Sequence, residues 1–289
     1  MATNTTDAAS PPFILTRYLY SKNQVIMSLF IALLDHNIDE ALFWAYEIYY
    51  SGFESEAFEF LYQTYETIYK KENPALQKYI EKLVEEWNAD NGKEWNLATL
   101  VATLATRTYR LDDFISTYFK AKCAPSISSP PEGRPKLRVR YNKECIELYR
   151  TKPPNAPLQT ACKYSTRNEL NRLMDIEMPE TDVFNTNWLY YAGRSPVWEA
   201  RIKEHNGIID DETKTVNFER DEQEEAFYEA WPYQPDELSA ELKQKRVGYY
   251  AKNVNQMLLK EFCGKYGVEL VMRKLVIKAK PNKTPIKPQ

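Results

Sequence analysis

The chain predicts an all-α fold with at most a minor short-strand element: an irregular multi-helix bundle or HEAT-like helical array, followed by a smaller α-rich C-terminal domain. Three observations carry this. Apolar residues recur at spacings of three and four through most of 22–123, the signature of one-sided helices. The 289 residues include 21 Tyr and 6 Trp but only 8 Gly, too few for the tight turns of a large β architecture. Helix start and stop signals stand at the ends of the periodic runs.

Residues 1–21 read as a disordered lead, small and polar at first and interrupted by Pro11 and Pro12. The N-terminal multi-helix domain then spans 22–123. In NQVIMSLFIALLDHN the residues Val25, Ile26, Leu29, Phe30, Leu33 and Leu34 form a wide apolar stripe. Asn37 can cap the next helix, with Glu40 three positions on and Gly52 as its stop. That helix, within DEALFWAYEIYYSGF (39–53), is apolar nearly all round, and its Leu42, Phe43, Trp44, Tyr46 and Tyr49 are expected at the centre of the bundle. A third helix repeats aromatics at Phe58, Tyr62, Tyr65 and Tyr69. Pro74 opens a fourth, with Leu76, Tyr79, Ile80, Leu83, Val84 and Trp87 as its buried stripe. Two more follow in EWNLATLVATLATRTY and LDDFISTYFKAKC. Short links between them imply helices packed beside their chain neighbours.

Composition breaks at 124–160, a Pro-rich basic connector. The α-rich C-terminal domain is placed at 161–272. A helix is predicted in STRNELNRLMDIE, capped by Ser165 or Thr166. Another is predicted in RSPVWEARIKEHNG, with Ser195 as cap, Pro196 in the first turn, Glu199 closing a capping box and Gly207 as stop. A short strand is expected within 216–218, then helices in RDEQEEAFYEAW and in 239–267, the last with a weak point at Gly248. Residues 273–289 form a basic tail, expected to be disordered.

Net charge is only −3, so no bulk attraction to nucleic acid or membrane is implied. Cations are nevertheless concentrated in 134–172, whereas 204–241 is acidic. Arg134, Lys136, Arg138, Arg140, Lys143, Arg150, Lys163 and Arg167, interleaved with Tyr141, Tyr149 and Tyr164, are the candidate nucleic-acid-binding residues. The competing interpretation is that these cations pair with the acidic half. Tyr50 and Trp198 are the candidate aromatic anchors for a protein partner. Cys123, Cys145, Cys162 and Cys263 lack metal-ligand spacing, and His36 and His205 are the only histidines, so no metal site and no cofactor is expected. No phosphate-binding loop, dinucleotide fingerprint, nucleophile elbow or HExxH motif occurs. No apolar run reaches the roughly 18 residues of a membrane span, and the first residues lack the pattern of a signal peptide. The cysteines and that start together predict a reducing, intracellular setting.

Two stretches, DEALFWAYEIYYSGF at 39–53 and SPVWEARIKEHNG at 195–207 continued by VNFERDEQEEAFYEAWPYQPDE at 216–237, resemble uncharacterised proteins of nucleocytoplasmic large DNA viruses. The resemblance covers about a fifth of the chain and implies an all-helical viral protein of the host cytoplasm or the virion, with no catalytic residue to transfer. A fainter likeness links 38–53 to the helical collar or lid segments of clamp-loader ATPases. Their nucleotide-binding domain has no counterpart here, so the likeness reads as shared helix-packing grammar. The expected function is that of a non-enzymatic scaffold or adaptor that docks protein partners. The alternative is a nucleic-acid-binding accessory factor in viral replication or transcription.

Overall fold

Helices α1 (Lys22–Leu34) and α2 (Ile38–Tyr49) begin the fold. Asn37 accepts the Glu40 N–H at 3.3 Å, the cap its position predicts. The computed structural model describes residues 13–89, 93–128, 140–152, 158–176, 181–234, 238–247 and 256–271. α3 (Glu54–Thr64) runs into a π-helical turn at Tyr65–Tyr69, marked by the 2.9 Å bond from the Lys70 N–H to the Tyr65 carbonyl. α4 (Gln77–Ala89), α5 (Trp95–Ala105) and α6 (Asp112–Phe119) complete the first set. α2 packs against α1, α3 and α5, and its residues from Glu40 to Tyr49 are all buried. Its central place explains a helix with almost no polar face. At its end Gly52 has φ +91°, a conformation glycine adopts without strain, and lies hard against Pro196.

The short helix α7 (Lys143–Ile146) lies within the connector and α8 (Leu158–Ala161) crosses its end, then come α9 (Thr181–Gly193) and α10 (Pro196–Glu204). Strands β1 (Gly207–Asp210) and β2 (Thr215–Phe218) pair antiparallel, with Gly207 opposite Phe218. α11 (Asp221–Ala230), α12 (Ala240–Val247) and α13 (Leu259–Lys265) follow. The architecture is therefore mostly helical with one small hairpin among the described residues. The buried side chains on both sides of the connector belong to one continuous cluster, from Leu15 to Val268.

Four expectations need correction. Residues 13–21, assigned to the disordered lead, are packed in the core, with Leu15, Leu19 and Tyr20 fully buried. The Arg17 Nε donates to Glu47 at 2.9 Å, and their side chains are 2% and 0% exposed. The Leu15 N–H bonds the Tyr191 carbonyl at 3.1 Å, and the Trp198 Nε1–H bonds the Thr16 carbonyl at 3.0 Å. These tertiary partners override the local composition.

The helix predicted from 165 is instead a series of turns. Carbonyls that a helix would bond internally are taken up elsewhere, that of Asn168 by the Gln256 side-chain amide at 3.0 Å and that of Glu169 by the Met257 N–H at 2.8 Å. Ser195 does stand at the N-cap of α10, but its hydroxyl donates to the Ala192 carbonyl at 2.8 Å, so the capping box is not made. Finally, α10 ends at Glu204, Asn206 rather than Gly207 takes the left-handed conformation after it (φ +58°), and Gly207 starts a strand, partnered by the strand expected at 216–218. The lead 1–12, the tail 273–289 and Gly248 lie outside the described residues.

Candidate functional site

α3 and α4 both pack on α5 and leave a groove between them. Its volume is about 420 Å³, and Ser55, Phe58, Tyr62, Val84, Trp87 and Asn88 line it with Glu59, Glu81 and Glu85. That size falls within the roughly 300–1,000 Å³ typical of binding pockets. The periodicity explains the arrangement. Ser55, Glu59 and Tyr62 recur at four and three along α3, and Glu81, Val84, Glu85 and Asn88 do so along α4, so each helix turns one flank to the gap.

The floor is rigid. Phe58 and Trp87 stack with centroids 4.5 Å apart, and the Trp87 Nε1–H donates to the Tyr49 hydroxyl at 3.2 Å. The groove is thereby tied to the central helix. Tyr62 and Val84 are half-buried at its sides, and Glu59 and Glu85 are exposed at its rim. Among the described residues none of Glu59, Glu81 and Glu85 is in an ion pair. Partial burial, then the charges of Glu66 and Glu81, push the Tyr62 phenol above its ordinary value. Chemically this is an apolar slot with an uncompensated negative rim. It suits a cationic ligand that carries an apolar side chain.

The residues singled out from sequence lie elsewhere. Trp198 is fully buried, ringed by Trp188, Phe227, Trp231 and Tyr233, so as a partner anchor it is corrected to a core residue. Tyr50 is half-buried. Its hydroxyl donates to Glu94 at 2.7 Å and its ring stacks on Tyr46 at 5.5 Å, while the Arg17 guanidinium sits 4.9 Å from its centroid. Burial and the Glu94 hydrogen bond push its phenol well up. A hydroxyl and a ring engaged in this way anchor the fold.

Of the basic set, Arg134, Lys136 and Arg138 lie outside the described residues. Arg167 forms a fork on Glu40, with both hydrogen bonds at 2.7 Å, and reaches Asp35 at 3.5 Å. The Glu40 bonds raise its guanidinium further above the usual arginine value. Arg150 pairs with Glu94 and with Glu147. Arg150 and Arg167 therefore pair with acids just after α1, in α2, just before α5 and in their own segment, not with the acidic half. The intervening tyrosines are likewise engaged: Tyr149 stacks on Tyr46 at 5.1 Å and Tyr164 meets Phe43 edge-on at 5.3 Å. Arg140, Lys143 and Lys163 are exposed and have no carboxylate partner among the described residues. The structure thus brings Arg150, Arg167 and the tyrosines together as a clasp over the first helices, and it does not gather the basic set into one surface.

Sequence reasoning missed the groove because it assigned Tyr62 and Val84 wholly to the core stripes. Acids flanking those positions at helical spacing, Glu59 beside Tyr62 and Glu81 and Glu85 about Val84, were the available signal. No family model matches the chain, and no curated protein or solved structure is significantly similar to it. Among the described residues no helix is long and apolar enough to cross a membrane, and no group of His, Cys, Asp and Glu side chains is arranged to hold a metal ion.

Proposed function

We propose that the protein is a helical docking scaffold or adaptor, acting without catalysis, and that the α3–α4 groove takes an amphipathic partner segment with basic residues around an apolar anchor. The observation that carries this is the pairing of a rigid Phe58–Trp87 floor with three acids that have no counter-ion among the described residues. An apolar side chain seated on that floor supplies affinity, and lysines or arginines facing Glu59, Glu81 and Glu85 fix orientation and speed encounter. The large-DNA-virus setting implied by 39–53 and 195–237, with residence in the host cytoplasm or the virion, belongs to the same proposal.

The test uses the full chain and two labelled peptides, an amphipathic Lys/Leu/Phe helix and its Glu-for-Lys counterpart, with tryptophan fluorescence and anisotropy as readouts. The basic peptide should bind, more weakly as salt rises, and the acidic one should not. Val84→Arg, which fills the slot and places a cation among its acids, should abolish binding while leaving the circular dichroism unchanged. Equal affinity for both peptides, or none for either at low salt, would sink the proposal.

Nucleic-acid binding through Arg140, Lys143 and Lys163 is the second reading, favoured by their exposure and lack of carboxylate partners. Retention of labelled single- or double-stranded DNA at low salt, lost on neutralising those three residues, would support it.

A further inference from the structure

Arg17, Arg201 and Arg246 lie in the interior, and Glu47 is the carboxylate whose charge reaches all three. Arg17 takes up that carboxylate through its 2.9 Å bond. Arg201 lies over the rings of Trp198 and Trp231, at 4.4 and 3.8 Å from their centroids, and makes one long hydrogen bond of 3.5 Å to the Arg17 carbonyl. Arg246 is 0% exposed, and its Nε, Nη1 and Nη2 have no hydrogen-bond partner among the described residues.

Two more orphans lie along the same seam. The Tyr20 hydroxyl donates to the Tyr164 carbonyl at 2.8 Å, and the Arg167 N–H donates to Ser28 Oγ at 2.7 Å, so 164–167 runs beside the start of α1. Gln24 stands between Tyr20 and Ser28, and Thr166 between Tyr164 and Arg167. The Thr166 N–H bonds the Lys245 carbonyl, next to Arg246. The Gln24 side-chain amide and the Thr166 hydroxyl are buried without hydrogen-bond partners, as the Arg246 guanidinium is. Native interiors seldom leave such groups unsatisfied, and a missing ion is one recognised cause.

Glu47 is taken up by Arg17, and among the described residues no other neighbouring side chain supplies the missing negative charge. Burial pushes the Cys162 thiol up to about 11 and the Tyr233 phenol up to about 12, and it raises the Tyr20 phenol well above its ordinary value, so all three are neutral near pH 7. A guanidinium offers five donors in a planar fork and does not give up its proton under such conditions.

We propose that Arg246, Thr166 and Gln24 hold a small tetrahedral oxyanion of the phosphate or sulfate class, enclosed between α1, residues 164–167 and α12. The guanidinium provides charge and a forked pair of donors, and the hydroxyl and amide complete the shell. Tyr20, Gln24, Cys162 and Arg246 are all buried, so the ion is held away from solvent. α12, held by Leu242, Arg246 and the Thr166–Lys245 bond, is the element that must lift for the ion to enter.

The test follows thermal unfolding of the full chain in chloride, phosphate, sulfate and ATP at matched ionic strength, with equilibrium dialysis of radiolabelled phosphate for stoichiometry. Phosphate or sulfate should raise the melting temperature in proportion to the logarithm of concentration above Kd, with one ion bound per chain. Arg246→Met should be at least as stable as wild type in chloride, because it removes an unpaired buried charge, and should lose both the response and the bound ion. Thr166→Val, a milder change, should weaken binding while the protein stays folded. Identical melting in all salts, an undiminished response in Arg246→Met, or an equal response to ATP would each overturn the enclosed-ion proposal.

Discussion

Replacing Glu47 by Leu isolates the Arg17 guanidinium in the core. Glu47 accepts from Arg17 Nε at 2.9 Å and from the Tyr18 N–H at 3.1 Å, with its own side chain fully buried. After the change Arg17 keeps the Thr151 hydroxyl at 3.2 Å and two aromatic faces, and the Tyr18 N–H has lost its carboxylate. Breaking a buried ion pair on one side costs about 3–5 kcal/mol, so a loss of about 4 kcal/mol is expected from a total of roughly 5–15. An unfolding entropy of about 2.1 cal/mol/K per residue gives roughly 0.6 kcal/mol/K for 289 residues, and hence a fall in Tm of about 7 °C. Urea unfolding followed by tryptophan fluorescence measures it as a lower midpoint at unchanged slope. The double variant Arg17→Met/Glu47→Leu should recover at least half of the loss, since an apolar pair removes the stranded charge. A single-variant cost under about 1 kcal/mol, or a double variant no better than the single, would refute the reasoning.

Three further outcomes are expected. Gly52→Ala should cost about 2 kcal/mol by the same assay, because φ is +91° and the new Cβ would lie 2.5 Å from Pro196 Cβ. In the folded protein an aromatic disulfide reagent should label Cys145 promptly and Cys123 slowly, sparing the buried Cys162 and Cys263 until urea is added. Asp210 accepts the Glu212 and Thr213 N–H groups at 2.8 and 3.2 Å, and the Thr213 bonds above all hold its carboxyl below the ordinary 3.8. A depressed folded value means that its contribution is fully present above 3.8 and is lost as pH falls through the lowered one. The Thr213 amide resonance should therefore shift with that acid titration and stay fixed in Asp210→Ala.

The helical elements of 22–119 were legible because their causes are local. Asn37 caps where a short polar acceptor is expected, Gly52 stops α2 where a positive φ is needed, and the α4 stripe buries Ile80, Leu83 and Trp87. Residues 13–21 and 165–176 were not legible, because what holds them lies far away in sequence. The partner of Arg17 is thirty positions on, and that of the Thr16 carbonyl is 182 on. The groove was half visible: periodicity located Tyr62 and Val84 on helices but could not tell a core flank from a rim. Nothing local marks Arg246 as enclosed, since its helix AELKQKRV has the composition of a solvated one.

The tethering of 13–21 also sets an order of events in time. Two of the contacts that fix 13–21, with the Tyr191 carbonyl and the Trp198 indole, come from far along the chain, the second 182 positions on, so they form only after that length has been made. At about 5–20 residues per second that is on the order of ten seconds or more, whereas the Arg17–Glu47 pair and the Arg17 N–H bond to Ser51 need only the first helices. The segment is thus anchored in two stages, first to α2 and Ser51 and later to α9 and α10.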